Sequence, residues 1–231
     1  MAVISKTKRW LNSRVPYVVD PASDEINKWV IEINKALGYD LLVAKGTSDI
    51  NYIKVAKGGG KSESIGCLSR GAQTVSANQK RSMQHEILHA LGFHHEQLHK
   101  GFPWNDDDPT ISAVNRMFSW KDQMTTDWNK ELWSKLSGGT LGGQFYADNN
   151  LMSRVQSLLD ANVESYDKCD FDSIMMYPDC KKAVEAALVT YPTPTINGTA
   201  YVKYGSGQDP KAPFLSKGDV KAILHMYPRR A

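Results

Sequence analysis

The sequence predicts an α+β fold, in which an N-terminal twisted mixed sheet carries two helices and a mostly helical, irregular lobe follows. β-branched runs typical of strands fill much of the first third of the chain, and two segments with apolar residues at helical spacing accompany them. After the second of these segments the pattern becomes irregular. The length of 231 residues, with 41% hydrophobic and 23% charged residues, suits one globular unit with its own core.

The N-terminal elements follow one another closely. Residues 15–20 form a β-branched run that predicts a strand, and Pro21 and Ser23 then open a helix that Gly38 ends. The apolar positions of this helix recur at helical spacing: Ile26, Trp29, Val30, Ile33 and Leu37. Three further strands are predicted over residues 41–44, 50–56 and 72–77, with the loop Gly58-Gly59-Gly60 before the last of them. The first third is therefore predicted to be a sheet with a helix packed on it.

A second helix is predicted over residues 82–91, where Met83, Ile87, Leu88 and Leu91 share one face and Gly92 ends the helix. Beyond it, helical stretches are predicted near residues 111–120, 128–136 and 151–159. The stripe of Trp120, Trp128 and Trp133 is interpreted as core, because aromatic stripes at helical spacing are usually buried. Asp106, Asp107 and Asp108 are interpreted as a solvated loop or helix cap, with a calcium site as the alternative.

Charge, hydropathy and cysteine content exclude several classes. The net charge is +3 and the pI about 8.6, and basic and acidic residues are interspersed, so no basic stripe indicates nucleic acid. No apolar run reaches the length of a membrane span, and the N-terminus lacks the apolar stretch of a signal peptide. Three cysteines allow one bridge within the chain; a Cys169–Cys180 pair and free thiols at Cys67, Cys169 and Cys180 are both open.

The second helix carries a metal-ligand pattern. His85 and His89 lie one turn apart on one helical face, so two imidazoles can bind one ion. A catalytic zinc site keeps three protein ligands and water. Gly92 can adopt the positive φ that turns the chain back, which would bring His95 to the same ion. The spacing therefore predicts one Zn²⁺ per chain, held by His85, His89 and His95.

Glu86 follows the first ligand and is predicted to be the general base beside the zinc-bound water. It can take the proton of that water during attack on a peptide carbonyl and pass it to the leaving amine. A lone histidine on such a helix is more often a core residue, but three histidines with Glu and Gly at these spacings form a far more specific pattern. His94, His99 and His225 are interpreted as packing or surface residues.

These residues resemble the metzincin signature, H-E-x-x-H-x-x-G-x-x-H followed by a Met-containing turn. The segment from Asp172 to Tyr177 resembles the Met-turn of the astacin family, and Phe93 and Glu96 match the astacin form around the third histidine. Two further stretches agree: Arg9-Trp10 with Val15-Pro16-Tyr17 resembles the start of mature astacins, and residues 215–220 with Met226-Tyr227 resemble their C-terminal end. The resemblance implies a single peptidase domain over residues 1–231, with a cleft between lobes 1–95 and 96–231.

The resemblance also implies roles for individual residues. Met175 is expected beneath the three histidines, Glu96 is expected to be structural and to meet the N-terminus of the mature chain, and Tyr177 is expected to be both a loose fifth ligand and a catalytic donor to the oxyanion. The sequence departs from the family at Met176, where a histidine is usual, and at Cys67, for which no bridge is expected. Segment 97–168 is longer than usual, which puts the substrate pockets in doubt.

The function predicted is a zinc-dependent endopeptidase that hydrolyses internal peptide bonds by Glu-assisted attack of a zinc-bound water. A serralysin-like or other metzincin protease and a catalytically inactive, zinc-stabilised binding module are the alternatives; Glu86 argues against the second, because a structural zinc needs no base. The expected partner is a protein or peptide substrate, with no nucleic acid and no membrane, and we expect a monomer. Family resemblance favours secretion, although the chain has no signal peptide.

Overall fold

The computed structural model describes residues 2–5, 8–96, 99, 163–170, 172–176, 195–196, 199–200 and 215–229. The helices predicted over residues 111–120, 128–136 and 151–159 lie outside the described residues, as do the tryptophan stripe, the three consecutive aspartates, Tyr177 and Cys180. The division into lobes 1–95 and 96–231 therefore stays a prediction.

The described strands are short and fall into three sheets. Their bounds are β1 Ala2–Ser5, β2 Val15–Val19, β3 Leu42–Ala44, β4 Tyr52–Ala56, β5 Lys61–Ser62, β6 Ala72–Ser76, β7 Phe93–His94, β8 Val163–Tyr166, β9 Thr195–Ile196 and β10 Thr199–Ala200. The largest sheet has the order β3-β2-β4-β6-β5, with all neighbours parallel except the antiparallel edge pair β5–β6. The predicted mixed N-terminal sheet is thus confirmed.

Strand bounds differ from the prediction at one informative place. β4 begins at Tyr52 instead of residue 50, and Ile50 is 78% exposed on the loop before it. Within β4, Ile53 and Val55 point to the core and alternate with partly exposed neighbours. The β-branched character of residue 50 therefore does not place it in the sheet, because burial of alternate side chains decides where pairing starts.

Both predicted N-terminal helices are present. Helix α1 spans Asp24–Leu37; the Ser23 side chain accepts a hydrogen bond from Ile26 N, and Gly38 ends the helix at a φ of 73°. Helix α2 spans Lys80–Leu91, and its four predicted apolar positions are all buried. The two helices pack on each other, and α2 also packs against β6 and β5.

A second sheet and a third helix connect distant parts of the chain. β1 lies between β7 and β8 in an antiparallel sheet, so the N-terminal strand joins the segment after α2 to residues 163–166. Helix α3, Lys217–Met226, packs against α1 and β1. Within the described part of the chain, no helix combines the length and apolarity needed to cross a membrane. The end of α2 is thus enclosed by elements from both ends of the sequence.

Candidate active site

Helix α2 presents the first two histidines side by side. The His85 and His89 rings are separated by 4.7 Å between centroids and meet edge to face. His89 is buried and His85 is partly exposed, as expected for a pair on the border between the helix's buried and open faces. The predicted i, i+4 juxtaposition is therefore present.

The turn after α2 brings in the third histidine. Gly92 has a φ of 108°, a left-handed conformation that a side chain would strain, and its N–H donates to the carbonyls of Leu88 and His89. The chain then reverses through β7, which pairs with β1. As a result, His95 Nε2 lies 3.1 Å from His85 Nε2 and 3.1 Å from His89 Nε2.

These separations fit a tetrahedral metal. Ligand nitrogens at about 2.0 to 2.1 Å from a zinc ion, at tetrahedral angles, lie about 3.3 Å apart. The three histidines form a group able to hold a metal ion among the described residues, with ligand atoms within 4.8 Å of one another. Neutral imidazoles are also donors that suit zinc.

The rings are oriented by main-chain carbonyls. His85 Nδ1 lies 2.9 Å from Ile174 O, and His89 Nδ1 lies 2.8 Å from Phe93 O. A carbonyl can only accept, so each ring carries its proton on Nδ1 and turns an Nε2 lone pair towards His95. Burial holds the pKa of His89 and of His95 well below the usual value, so proton binding cannot readily relieve the crowding of these nitrogens. A bound cation with open coordination positions would accept the nitrogen lone pairs and so relieve this crowding.

Glu86 follows His85 in α2 and is not one of the three histidines that could hold a metal ion. Its carboxylate accepts a hydrogen bond from the Ser62 main chain in the edge strand β5. Burial raises the pKa of Glu86 to about 7, and the Ser62 bond acts in the opposite direction. This is the range in which a carboxylate can both accept and return a proton at neutral pH.

The Met-turn segment bonds His85 and Glu96, the residue after His95. Ile174 O accepts from His85, as described above, and Met175 O accepts from Glu96 N at 3.0 Å. Met175 is buried in the core, and Glu96 is fully buried, with Oε1 accepting from Asp170 N at 2.7 Å. Burial raises the pKa of Glu96 to about 8, and the amino-terminal charge opposes that rise. Tyr177 itself lies outside the described residues, so its two expected roles remain predictions.

The remaining histidines and the described cysteines do not belong to this ligand group. His94 and His99 are buried, and His225 stacks on Tyr166 at 4.1 Å between ring centroids. Cys67 and Cys169 are free thiols. The interpretation of these histidines as packing or surface residues agrees with their positions.

Three groups around the site were not anticipated from the sequence. Two are the carbonyls of Phe93 and Ile174, which carry no side-chain signal. The third is the buried carboxylate of Asp219, at the start of α3, which bonds the Met-turn segment. Its signal was present, because Ser216-x-x-Asp219 before an apolar run is a capping-box pattern.

Taken together, the helix, the turn and the three converging imidazoles form a histidine group in an H-E-x-x-H pattern that could hold a metal ion. The family model for Astacin, a peptidase family, matches residues 2–101, the segment that contains His85, His89 and His95. The match covers less than half of the 231 residues and agrees with the resemblance to the astacin family.

Individual relatives align with part of the chain. Meprin A subunit beta of mouse (Mus musculus) is 36% identical over 104 residues, which cover 42% of this chain and 14% of that protein. The rat (Rattus norvegicus) protein of the same name is 31% identical over 145 residues, which cover 59% of this chain and 20% of that protein. The chain thus spans a fifth or less of the length of these relatives.

Among solved structures, high choriolytic enzyme 1, a hatching enzyme zinc-protease from medaka (Oryzias latipes), aligns over 96% of this chain and 94% of its own. The TM-score is 0.45 and the identity 19%. The family match and the relatives agree with the resemblance to a peptidase family and favour neither of the two alternatives considered from the sequence.

Proposed function

We propose that the protein is a zinc-dependent endopeptidase that hydrolyses internal bonds of proteins or peptides, with one zinc per chain held by His85, His89 and His95. The observation that carries the proposal is the convergence of three Nε2 atoms, two of them on rings oriented by main-chain carbonyls. Glu86 follows the first of these histidines in the same helix. The match to a peptidase family over residues 2–101 supports the same conclusion.

When bound, zinc supplies a Lewis acid that polarises the substrate carbonyl and lowers the pKa of water. Glu86 accepts the proton of the attacking water at its carboxylate and delivers it to the leaving amine nitrogen. The Ser62 N–H holds the Glu86 carboxylate at the edge of the sheet while it does so. Tyr177 is proposed to donate its phenolic proton to the oxyanion, the role that the resemblance to astacins implies. Glu96 and Met175 are proposed to support the ligands.

A cleavage assay tests the proposal. The purified 231-residue chain is incubated with a peptide library. New termini are mapped by mass spectrometry in three samples: untreated, treated with a chelator, and treated with a chelator and then reloaded with zinc. The proposal predicts internal cleavage that the chelator abolishes and zinc restores. Zinc-loaded protein that cleaves nothing in the library would instead favour a zinc-stabilised binding module.

A further inference from the structure

Asp219 is a buried carboxylate with three hydrogen-bond donors around it. It is 2% exposed, Oδ1 accepts from Ser173 Oγ at 2.6 Å, and Oδ2 accepts from both Ile174 N and Ser216 N at 2.9 Å. Two of these three donors belong to the Met-turn segment and one to the start of α3. The carboxylate therefore ties the turn to the helix.

Ile174 connects Asp219 to His85, one of the proposed metal ligands. Its N–H donates to Asp219, and its carbonyl accepts from His85 Nδ1 at 2.9 Å. One residue thus connects the buried carboxylate to the ring whose Nε2 faces His95. Groups that hold a ligand's second ring nitrogen fix its tautomer and direction, and mutation of such groups typically weakens metal binding.

A second hydrogen-bonded path from the same helix start leads to Glu96. Ser216 Oγ donates to Asp170 Oδ2, Asp170 N donates to Glu96 Oε1, and Glu96 follows His95 directly in the chain. This path does not pass through Ile174. The two paths therefore offer a comparison within one structure: the Asp219 path reaches the His85 ring through Ile174, while the Ser216 path ends at the Glu96 carboxylate and bonds no histidine ring.

We propose that Asp219 is a positioning residue for the metal site, which sets the His85 tautomer and ring direction through the Ile174 peptide groups. The inference rests on the proposed function. A carboxylate suits this position because all three of its neighbours donate. An amide replaces one acceptor oxygen with an NH₂ group that would face donors, so Asp219→Asn removes the arrangement with little change in shape.

A purely structural role as a helix cap is the competing explanation. Asp219 and Ser216 form a reciprocal capping box, in which Asp219 N donates to Ser216 Oγ and Ser216 N donates to Asp219 Oδ2. Ser216→Ala removes one half of this box and leaves the contact of Asp219 with Ile174 intact. It is therefore the matched control, because capping alone would make the two variants behave alike.

The experiment uses the full chain as parent, Asp219→Asn and Ser216→Ala. Zinc affinity is measured by competition with a chromophoric chelator, and urea unfolding of the metal-free proteins gives their stabilities. We expect Asp219→Asn to bind zinc about 10- to 100-fold more weakly. Ser216→Ala should bind zinc with an affinity within about threefold of the parent. This should hold even if its urea midpoint falls as far as that of Asp219→Asn. Parental zinc affinity in Asp219→Asn, or equal losses in both variants, would overturn the inference.

A readout without metal separates this inference from the proposed function. Long-range ¹H–¹⁵N spectra of the metal-free chain report the His85 tautomer, and we expect the Nδ1–H form in the parent and in Ser216→Ala, with a mixture of tautomers in Asp219→Asn. An unchanged Nδ1–H form in Asp219→Asn would contradict the inference, whether or not the parent cleaves peptides.

Should Asp219→Asn fail to fold, Ser173→Ala takes its place. The Ser173 hydroxyl donates to Asp219 and accepts from Met175 N at 3.0 Å, so its removal takes away one of the two bonds by which Asp219 holds the turn and weakens its hold on Ile174. We expect a smaller loss of zinc affinity, about three- to tenfold. Parental affinity and an unchanged His85 tautomer in Ser173→Ala would then overturn the inference.

Discussion

The hydroxyl of Tyr227 bonds the last residue of helix α2, and its removal should destabilise the protein strongly. Tyr227 is 1% exposed, its Oη donates to Leu91 O at 2.6 Å, and it accepts from Trp10 N at 3.3 Å. Leu91 is the last residue of α2, and its carbonyl is one of those that a helix leaves without an intrahelical partner. Tyr227→Phe therefore removes the partner of one buried acceptor and of one donor while it keeps the ring.

The magnitude follows from those two groups. Each buried polar group that loses its partner costs about 1 to 3 kcal/mol, and the longer Trp10 bond contributes at the low end. The neighbouring bond from Trp10 Nε1 to Ala90 O, 2.8 Å, remains and limits the damage. We expect the free energy of unfolding to fall by about 2 to 4 kcal/mol.

Urea unfolding of the metal-free chain measures this loss, with Tyr39→Phe as the matched control. Tyr39 is partly exposed and its hydroxyl donates to Tyr227 O, so water can replace that bond and the loss should be about 0.5 to 1.5 kcal/mol. A free energy of unfolding within about 0.5 kcal/mol of the parent in Tyr227→Phe would refute the reasoning, because buried carbonyls at the helix end would then need no partner.

Three further predictions concern the site itself. Metal analysis after reconstitution should find less than about half an equivalent of zinc in His89→Ala. The control His225→Ala, which removes an exposed ring, should hold the parental amount. Equal zinc contents in the two variants would contradict the ligand assignment. Tyr177→Phe should lower kcat about 10²- to 10³-fold at unchanged zinc content, as steady-state kinetics would show, and parental kinetics would exclude the phenol from the reaction. Burial raises the pKa of Asp219 to about 6 from the unfolded value of about 4, so the folded chain binds a proton in that window that the unfolded chain has released. Its contribution to the free energy of unfolding, up to about 3 kcal/mol, is therefore present below about pH 4 and lost as the pH rises through about 6. Urea unfolding of the metal-free protein at both pH values measures how far the free energy of unfolding drops as the pH rises. The drop should be smaller in Asp219→Asn than in the parent, and equal drops would contradict the raised pKa of Asp219.

Local features of the sequence predicted the part of the fold that local physics determines. The apolar period of α2 placed His85 and His89 on one face, and Gly92 ended that helix with the positive φ that brings His95 back. The same holds for α1, where Ser23 and Gly38 mark its two ends. Spacing and turn chemistry act within a few residues, and a single sequence displays them directly.

The remainder depends on pairings between distant segments. β1 has only four residues and no strong alternation, and it forms a strand because β7 and β8 lie on either side of it. The bond between Tyr227 and Leu91 and that between Asp219 and Ile174 join residues far apart in the chain. No local pattern encodes such partners. The capping box of Ser216 and Asp219 is predictable as a helix start, but its contact with the Met-turn segment is not.

The central claim is that Glu86 is the base of a zinc endopeptidase and not a ligand. Its most direct test compares the zinc content and the peptide-hydrolysis rate of the parent and Glu86→Gln, an isosteric change at a partly exposed carboxylate. We predict one zinc in each protein and a kcat about 10²- to 10⁴-fold lower in Glu86→Gln. Parental turnover in fully zinc-loaded Glu86→Gln would contradict the claim.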